Sequence, residues 1–141
     1  MGVTISSKNY SCDMGYLGFA RIRCKVAELE NADFGIHRSS LERDAPFMED
    51  ERKEFFEKYN AITTKMVNEG KVSAEVANFC HQSGCEGKIK KKQAAVIYKI
   101  IKDCNDKTLY GYTGRADCAT FEDLKNIFKD CVENGGKIEW S

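Results

Sequence analysis

The sequence predicts an α+β fold, predominantly helical, with about five helices packed on a small sheet formed by short N- and C-terminal strands. Three observations predict it. Apolar side chains recur at steps of three and four through most of the chain, the two ends alternate apolar with polar residues, and glycines or cap-forming residues punctuate the helical stretches. At 141 residues, 42% of them hydrophobic and 31% charged, the chain fits a single compact domain over residues 1–141, able to bury a core without staples.

Residues 2–6 read as a strand, because Val3 and Ile5 alternate with polar neighbours. Asp13 is placed to cap a first helix running to about Ala32, in which Tyr16, Phe19, Ile22, Val26 and Leu29 share one face. Gly35 reads as a left-handed exit from that helix, and residues 35–45 as a loop. Pro46 suits the first turn of a second helix, and Glu49, Asp50 and Glu51 favour the positive end of its dipole. Phe55, Tyr59, Ile62 and Met66 form its stripe, and Gly70 ends it. Ser73 caps a short third helix closed by Gly84. A fourth is expected over about Lys88 to Asp103, with Ile89, Ile97 and Ile101 inward. Residues 108–113 are β-like but broken by Gly111, so they read as a strand or extended loop. Thr120 with Asp123 resembles a capping box opening a fifth helix, which Gly135-Gly136 stops before a last strand at Lys137–Trp140.

Charge and composition exclude several function classes. The chain carries 22 basic and 22 acidic side chains, so net charge offers no general attraction to nucleic acid or an acidic membrane. No apolar run approaches the roughly 18–20 residues that span a bilayer, and the first residues lack a signal-peptide core, so a cytoplasmic location is expected. Seven cysteines in no paired ladder fit a reducing compartment, where Cys24, Cys104 and Cys131 serve as small core hydrophobes. Cys80-His81 with Cys85 invites a zinc reading, but two paired ligand clusters are missing, so no metal and no cofactor is expected. With two histidines and no nucleophile motif, the chain is read as a non-enzyme.

Two elements point to a ligand. The stretch from Gly84 to Lys92 puts Lys88, Lys90 and Lys91 at an expected helix start, where positive charge opposes the dipole by a few tenths of a kcal/mol each. A bound anion would remove that penalty and use the free N–H groups; a solvated basic turn beside Glu86 is the packing alternative. The segment Tyr110-Gly111-Tyr112-Thr113-Gly114-Arg115 offers rings to stack on a base and a guanidinium to fork onto phosphate. Its packing alternative is a turn with Tyr110 and Tyr112 on the core edge. A matching element, Met14-Gly15-Tyr16-Leu17-Gly18, leads into Arg21 and Arg23.

The run from Ile5-Ser6-Ser7-Lys8-Asn9-Tyr10 through Cys12-Asp13-Met14-Gly15-Tyr16 to Phe19, Arg23 and Leu29 resembles small proteins carried by phages and prophages of Gram-positive bacteria. The resemblance covers about a quarter of the chain. It implies an inhibitor of host defence, acting on a host protein or by sequestering a nucleotide signal, and it places the chain in a bacterial host cell.

These readings combine into a non-enzymatic, homo-oligomeric binding protein for a phosphate-containing nucleotide-like small molecule, an anti-defence protein that sequesters a host signalling nucleotide. Lys88, Lys90, Lys91 and Arg115, with Arg21 and Arg23, would meet phosphates, and Tyr110 and Tyr112 a base. The alternative is a protein–protein module that blocks a host protein. Membrane and nucleic-acid partners are not expected.

Overall fold

The two chain ends meet in the middle of a four-stranded antiparallel sheet. The computed structural model describes residues 2–111 and 119–141. Along the chain run β1 (Gly2–Ser6), β2 (Ser11–Gly15), α1 (Tyr16–Glu30), α2 (Ala32–Asp44), α3 (Glu49–Asn68), α4 (Ala74–His81), β3 (Gly87–Lys90), α5 (Lys91–Ile101), α6 (Phe121–Asn134) and β4 (Lys137–Trp140). The strand order is β2-β1-β4-β3. Ile5 pairs with Trp140, and the amides of Thr4 and Ser141 exchange hydrogen bonds at 2.9 and 3.2 Å.

One face of the sheet is apolar. Val3, Ile5, Met14, Ile89, Ile138 and Trp140 are buried on it, while Thr4, Asp13, Lys88 and Glu139 face water. This is the period-two alternation expected of a sheet covered on one side. Helices α1, α5 and α6 lie on the apolar face, α2 and α4 pack on α1, and α3 packs on α4. At the centre, the Phe79 ring from α4 meets Phe19, Phe128 and Trp140 edge-on, with centroids 6.3, 5.5 and 5.7 Å away. Such edge contacts contribute beyond area burial.

Several sequence expectations hold. Ser73 accepts from the Val76 amide, the Thr120–Asp123 capping box is reciprocal, and Gly70 and Gly135 leave their helices with φ of 76° and 79°. The acids Glu49, Asp50 and Glu51 fill the first turn of α3.

Others are corrected. The mostly helical α+β class itself holds, with six helices among the described residues where about five were expected. Asp13 does not cap α1; it lies in β2, opposite Thr4, whose hydroxyl donates to it at 2.7 Å. Residues 35–45, expected as a loop, belong largely to α2. Asn31 starts that helix by accepting from the Phe34 amide at 3.1 Å. Gly35 is therefore helical, and its role is close approach: an added Cβ would come 2.7 Å from Glu28 Cα on α1. Pro46 stands before α3 rather than in its first turn. The third expected helix ends at His81, with Gln82 as its C-cap, ahead of Gly84. Lys88 and Lys90 sit on β3 and the helix begins only at Lys91, because Ile89 is drawn onto the sheet opposite Ile138. Tyr16 turns out to solvent, and Cys24 and Cys104 are only partly buried.

Candidate functional site

The predicted site residues fall in separate places. Lys88 and Lys90 are exposed on the outer face of the sheet, and Lys91 is the exposed first residue of α5. Tyr110 is buried, tilted against Phe121, and its hydroxyl donates to Asp106. Tyr112 and Arg115 lie outside the described residues. The N-terminal glycine element does meet the tyrosine loop. Arg21 donates to the Leu109 carbonyl at 2.9 Å and lies 5.6 Å from the Tyr110 ring centroid. Gly18 permits this, since a Cβ there would overlap the Tyr110 carbonyl oxygen at 1.8 Å.

Arg23, expected to meet phosphate together with the lysines, lies in a different place from them. It is 5% exposed and points from α1 toward the end of α4. Its Nη1 donates to the carbonyls of Gln82 at 2.6 Å and Phe79 at 3.4 Å, and its guanidinium covers the Phe19 ring at 4.4 Å. Its buried Nε finds no partner among the described residues. A second arginine arrives from α2: Arg38, 2% exposed, donates through Nε to the Cys80 carbonyl at 3.0 Å. Its Nη1 meets both oxygens of Glu42 at 2.8 and 2.9 Å.

Part of this arrangement is helix capping. The last carbonyls of a helix lack intrahelical partners and carry about half a negative charge. Two guanidiniums on Phe79, Cys80 and Gln82 satisfy them. Capping does not account for the remaining charge. Burial, then the neighbouring Arg38 charge, pulls the Arg23 pKa down to about 10. Burial, the largest single effect, also opposes the charge on Arg38, but the Glu42 hydrogen bond and smaller electrostatic contributions from Cys24, Glu42 and Cys80 together outweigh it, so that guanidinium is held above its usual range. Among the described residues one arginine has its carboxylate and the other does not.

The wall opposite is aromatic. Arg23, Arg38, Phe56, Tyr59, Asn60 and His81 are among the residues lining a cleft of about 310 Å³, enclosed by α1, α2, α3 and the end of α4. His37 stacks on Tyr59 with centroids 3.9 Å apart and planes 14° apart. Tyr59 Oη and His81 Nε2 are hydrogen bonded at 2.7 Å, and His37 Nε2 meets Thr63 Oγ1 at 2.8 Å. Burial, then the charges of Arg38, His37 and Arg23, pushes the His81 pKa down to about 4, and burial lowers that of His37. Burial raises the Tyr59 pKa well above its usual range. At neutral pH the aromatic wall is therefore uncharged and can donate or accept hydrogen bonds.

Gln82 ties this cleft to the lysine strand. Its carbonyl accepts from Arg23, and its side-chain amide bonds both backbone groups of Lys88, at 3.1 Å (from the amide N–H) and 2.9 Å (to the carbonyl). A Cβ on Gly84 would lie 3.3 Å from Arg23 Nη2, so the 83–86 loop passes over the guanidinium. A larger cleft of about 570 Å³ lies by Asn105, Asp106, Lys107, Thr120 and Glu122. Among its described lining residues Lys107 stands against two carboxylates, with no buried cation. Among the described residues no group of three His, Cys, Asp or Glu side chains could hold a metal ion, and Cys80 instead donates to the Arg23 carbonyl at 3.4 Å.

Sequence reasoning missed Arg38, Tyr59, His81, His37 and Glu42 as a group, because they come from three helices and share no local pattern. The one available signal was that the chain has only two histidines, His81 directly after Cys80 in the third expected helix and His37 in a stretch that reads as a loop. No protein-family model, curated protein or solved structure matches the chain.

Proposed function

We propose that the chain is a non-enzymatic binding protein whose cleft holds a phosphate-bearing, nucleotide-like small molecule. The observation that carries this reading is the buried Nε of Arg23, without a partner among the described residues, beside a second buried guanidinium. A buried donor without a partner costs about 1–3 kcal/mol, more when charged, and a phosphate oxygen would remove that cost. Phe56 offers a partly exposed ring to a base, with the buried Tyr59 behind it, and about 310 Å³ falls at the small end of the roughly 300–1,000 Å³ range of ligand clefts. The phosphate contacts thus move from the lysine strand to Arg23 and Arg38. With the N-terminal resemblance to phage-borne proteins, the reading extends to sequestration of a host signalling nucleotide.

Calorimetric titration with adenosine 5′-monophosphate, its methyl ester and adenosine tests it. At least one of the two phosphates should bind, and adenosine should not. Arg23→Gln or Phe56→Ala should weaken binding at least tenfold, with Lys90→Ala unchanged. Equal binding of adenosine, or indifference to both cleft variants, overturns the reading.

A second reading rests on a different observation. Phe47 and Met48 are exposed immediately before the acidic first turn of α3. Exposed apolar side chains beside an acidic helix start suit a basic protein partner, and blocking a host protein is then the activity. A stoichiometric partner that Phe47→Ser releases would favour it.

A further inference from the structure

We propose that the N-terminal half of α3 is a hinged lid on the arginine cleft, latched by Tyr59 against His37 and His81. Hinge and latch are properties of the fold; their use as a ligand entrance rests on the phosphate site proposed above.

Little holds α3 to the body. Among the described residues, only Tyr59 and Met66 of its 20 are buried, and they hold opposite halves of the helix. Met66 belongs to the apolar core, Val67 packs against that core, and Val72 just beyond the helix is part of it again. The Lys71 amide donates to the Met66 carbonyl at 3.0 Å, and the Ser73 amide to Glu30 Oε1 on α1 at 2.8 Å. The C-terminal end is thereby fixed. Tyr59 is buried yet stands outside the core cluster. Its ring lies on His37, its hydroxyl is hydrogen bonded to His81, and Thr63 one turn on meets His37. Phe55 and Phe56 are half-buried, residues 49–54 are exposed, and none of 45–48 is buried. Segments with few buried apolar contacts open at free energies well below that of global unfolding. The N-terminal half of α3 meets that description, and its C-terminal end does not.

The same half is one wall of the cleft, which Phe56, Tyr59 and Asn60 line together with Arg23 and Arg38. Both arginines are buried, so a ligand needs a way in. Among the described residues their hydrogen bonds go to Phe79, Cys80, Gln82 and Glu42, and none goes to α3. The guanidiniums therefore keep their places when α3 lifts. A ligand that spans the arginines and the Phe56 ring would tie α3 to the body and hold the lid shut.

The test is amide hydrogen exchange of the full chain, resolved by NMR, in water and at low urea. A helix freed from its body is marginal in water, so opening is read at the amides of residues 53–61. These should share one opening step and exchange at least tenfold faster than the buried Ile22 and Val26 of α1, with little urea dependence. Tyr59→Phe keeps the ring, removes the latch hydroxyl, and should speed them at least threefold. Leu124→Ala in the core of α6 should speed Ile22 and Val26 and leave 53–61 unchanged. Exchange of 53–61 at the α1 rate and urea dependence overturns the lid, and that result needs no variant. So does equal acceleration of both sets in Leu124→Ala, or graded fraying that is indifferent to Tyr59→Phe. Adenosine 5′-monophosphate and its methyl ester then separate the lid from its use. Whichever binds should slow exchange at 53–61 at least tenfold, and binding that leaves this rate unchanged overturns the entrance role. If neither binds, the phosphate-site reading and the entrance role fall, while the lid is decided by the exchange of the free chain.

Discussion

His81 makes the stability of this fold depend on pH in a calculable way. Its ring is packed edge-on against Phe34 and Tyr59, bonded to the Tyr59 hydroxyl, and near two arginines. The folded pKa is about 4 against 6.5 for an unperturbed imidazole. Between those values the unfolded chain binds a proton that the folded chain refuses. Stability rises with pH wherever the unfolded state binds more protons. The His81 contribution is therefore intact above pH 6.5, falls as the pH drops toward 4, and levels off below. At about 1.36 kcal/mol per pH unit the gap corresponds to about 3 kcal/mol, and partial access of the ring to the cleft reduces this to about 2–3 kcal/mol. Urea unfolding of the native chain and His81→Gln at pH 7, 6, 5 and 4 isolates the effect, since acid losses from carboxylates are common to both. The native chain should lose about 2–3 kcal/mol more than the variant between pH 7 and 4. Parallel pH profiles, or a His81 proton resonance titrating near its unperturbed value, would refute the reasoning.

Two further outcomes follow from other parts of the fold. Gly18→Ala forces a methyl group into the Tyr110 carbonyl, so the 109–111 segment must move off α1; a loss of about 1–3 kcal/mol and faster exchange of the Tyr110 amide are expected, the latter bonded to Ala119 in the native chain. Asp130 accepts from Ser7 Oγ, the Asn9 amide and side chain, and Asn134, at 2.7 to 2.8 Å, and the first of these contacts leads in holding its carboxyl well below the usual range. An acid with a lowered folded pKa stabilises above its unfolded pKa and loses that effect as pH falls. Asp130→Ala should therefore lower Tm at pH 7 and speed exchange of the Asn9 amide, and the difference from the native chain should shrink in acid.

Local signals in the sequence were legible wherever one residue sufficed to make a structure. Ser73, Thr120 with Asp123, Gly70 and the alternating ends all act through neighbours a few residues away, so their meaning is written in spacing. The failures came where distant packing chose between two local options. Residues 32–44 carry few apolar positions and a glycine, yet Asn31 caps them and α1 accepts Gly35 against Glu28. Ile89 fits a helix stripe as well as a strand face, and only β4 decides for the strand. The candidate site shows the same division. Arg21, Gly18 and Tyr110 were noticed as similar elements and do meet, whereas the Arg23–Arg38 pair needs α4 to end between them. No spacing along the chain encodes that junction.

The side chain of Gln82 stands where a fifth strand would begin. By bonding both the N–H and the C=O of Lys88, it occupies the outward-facing backbone pair of β3, and Lys90 beyond it already turns into α5. The sheet is thus sealed on that side by a single residue, which an incoming chain would have to displace. Among the described residues no strand pairs with the outer edge of β2 on the opposite side, so an assembly through a continuous sheet would join two N-terminal hairpins, at the edge away from Gln82 and the arginine cleft.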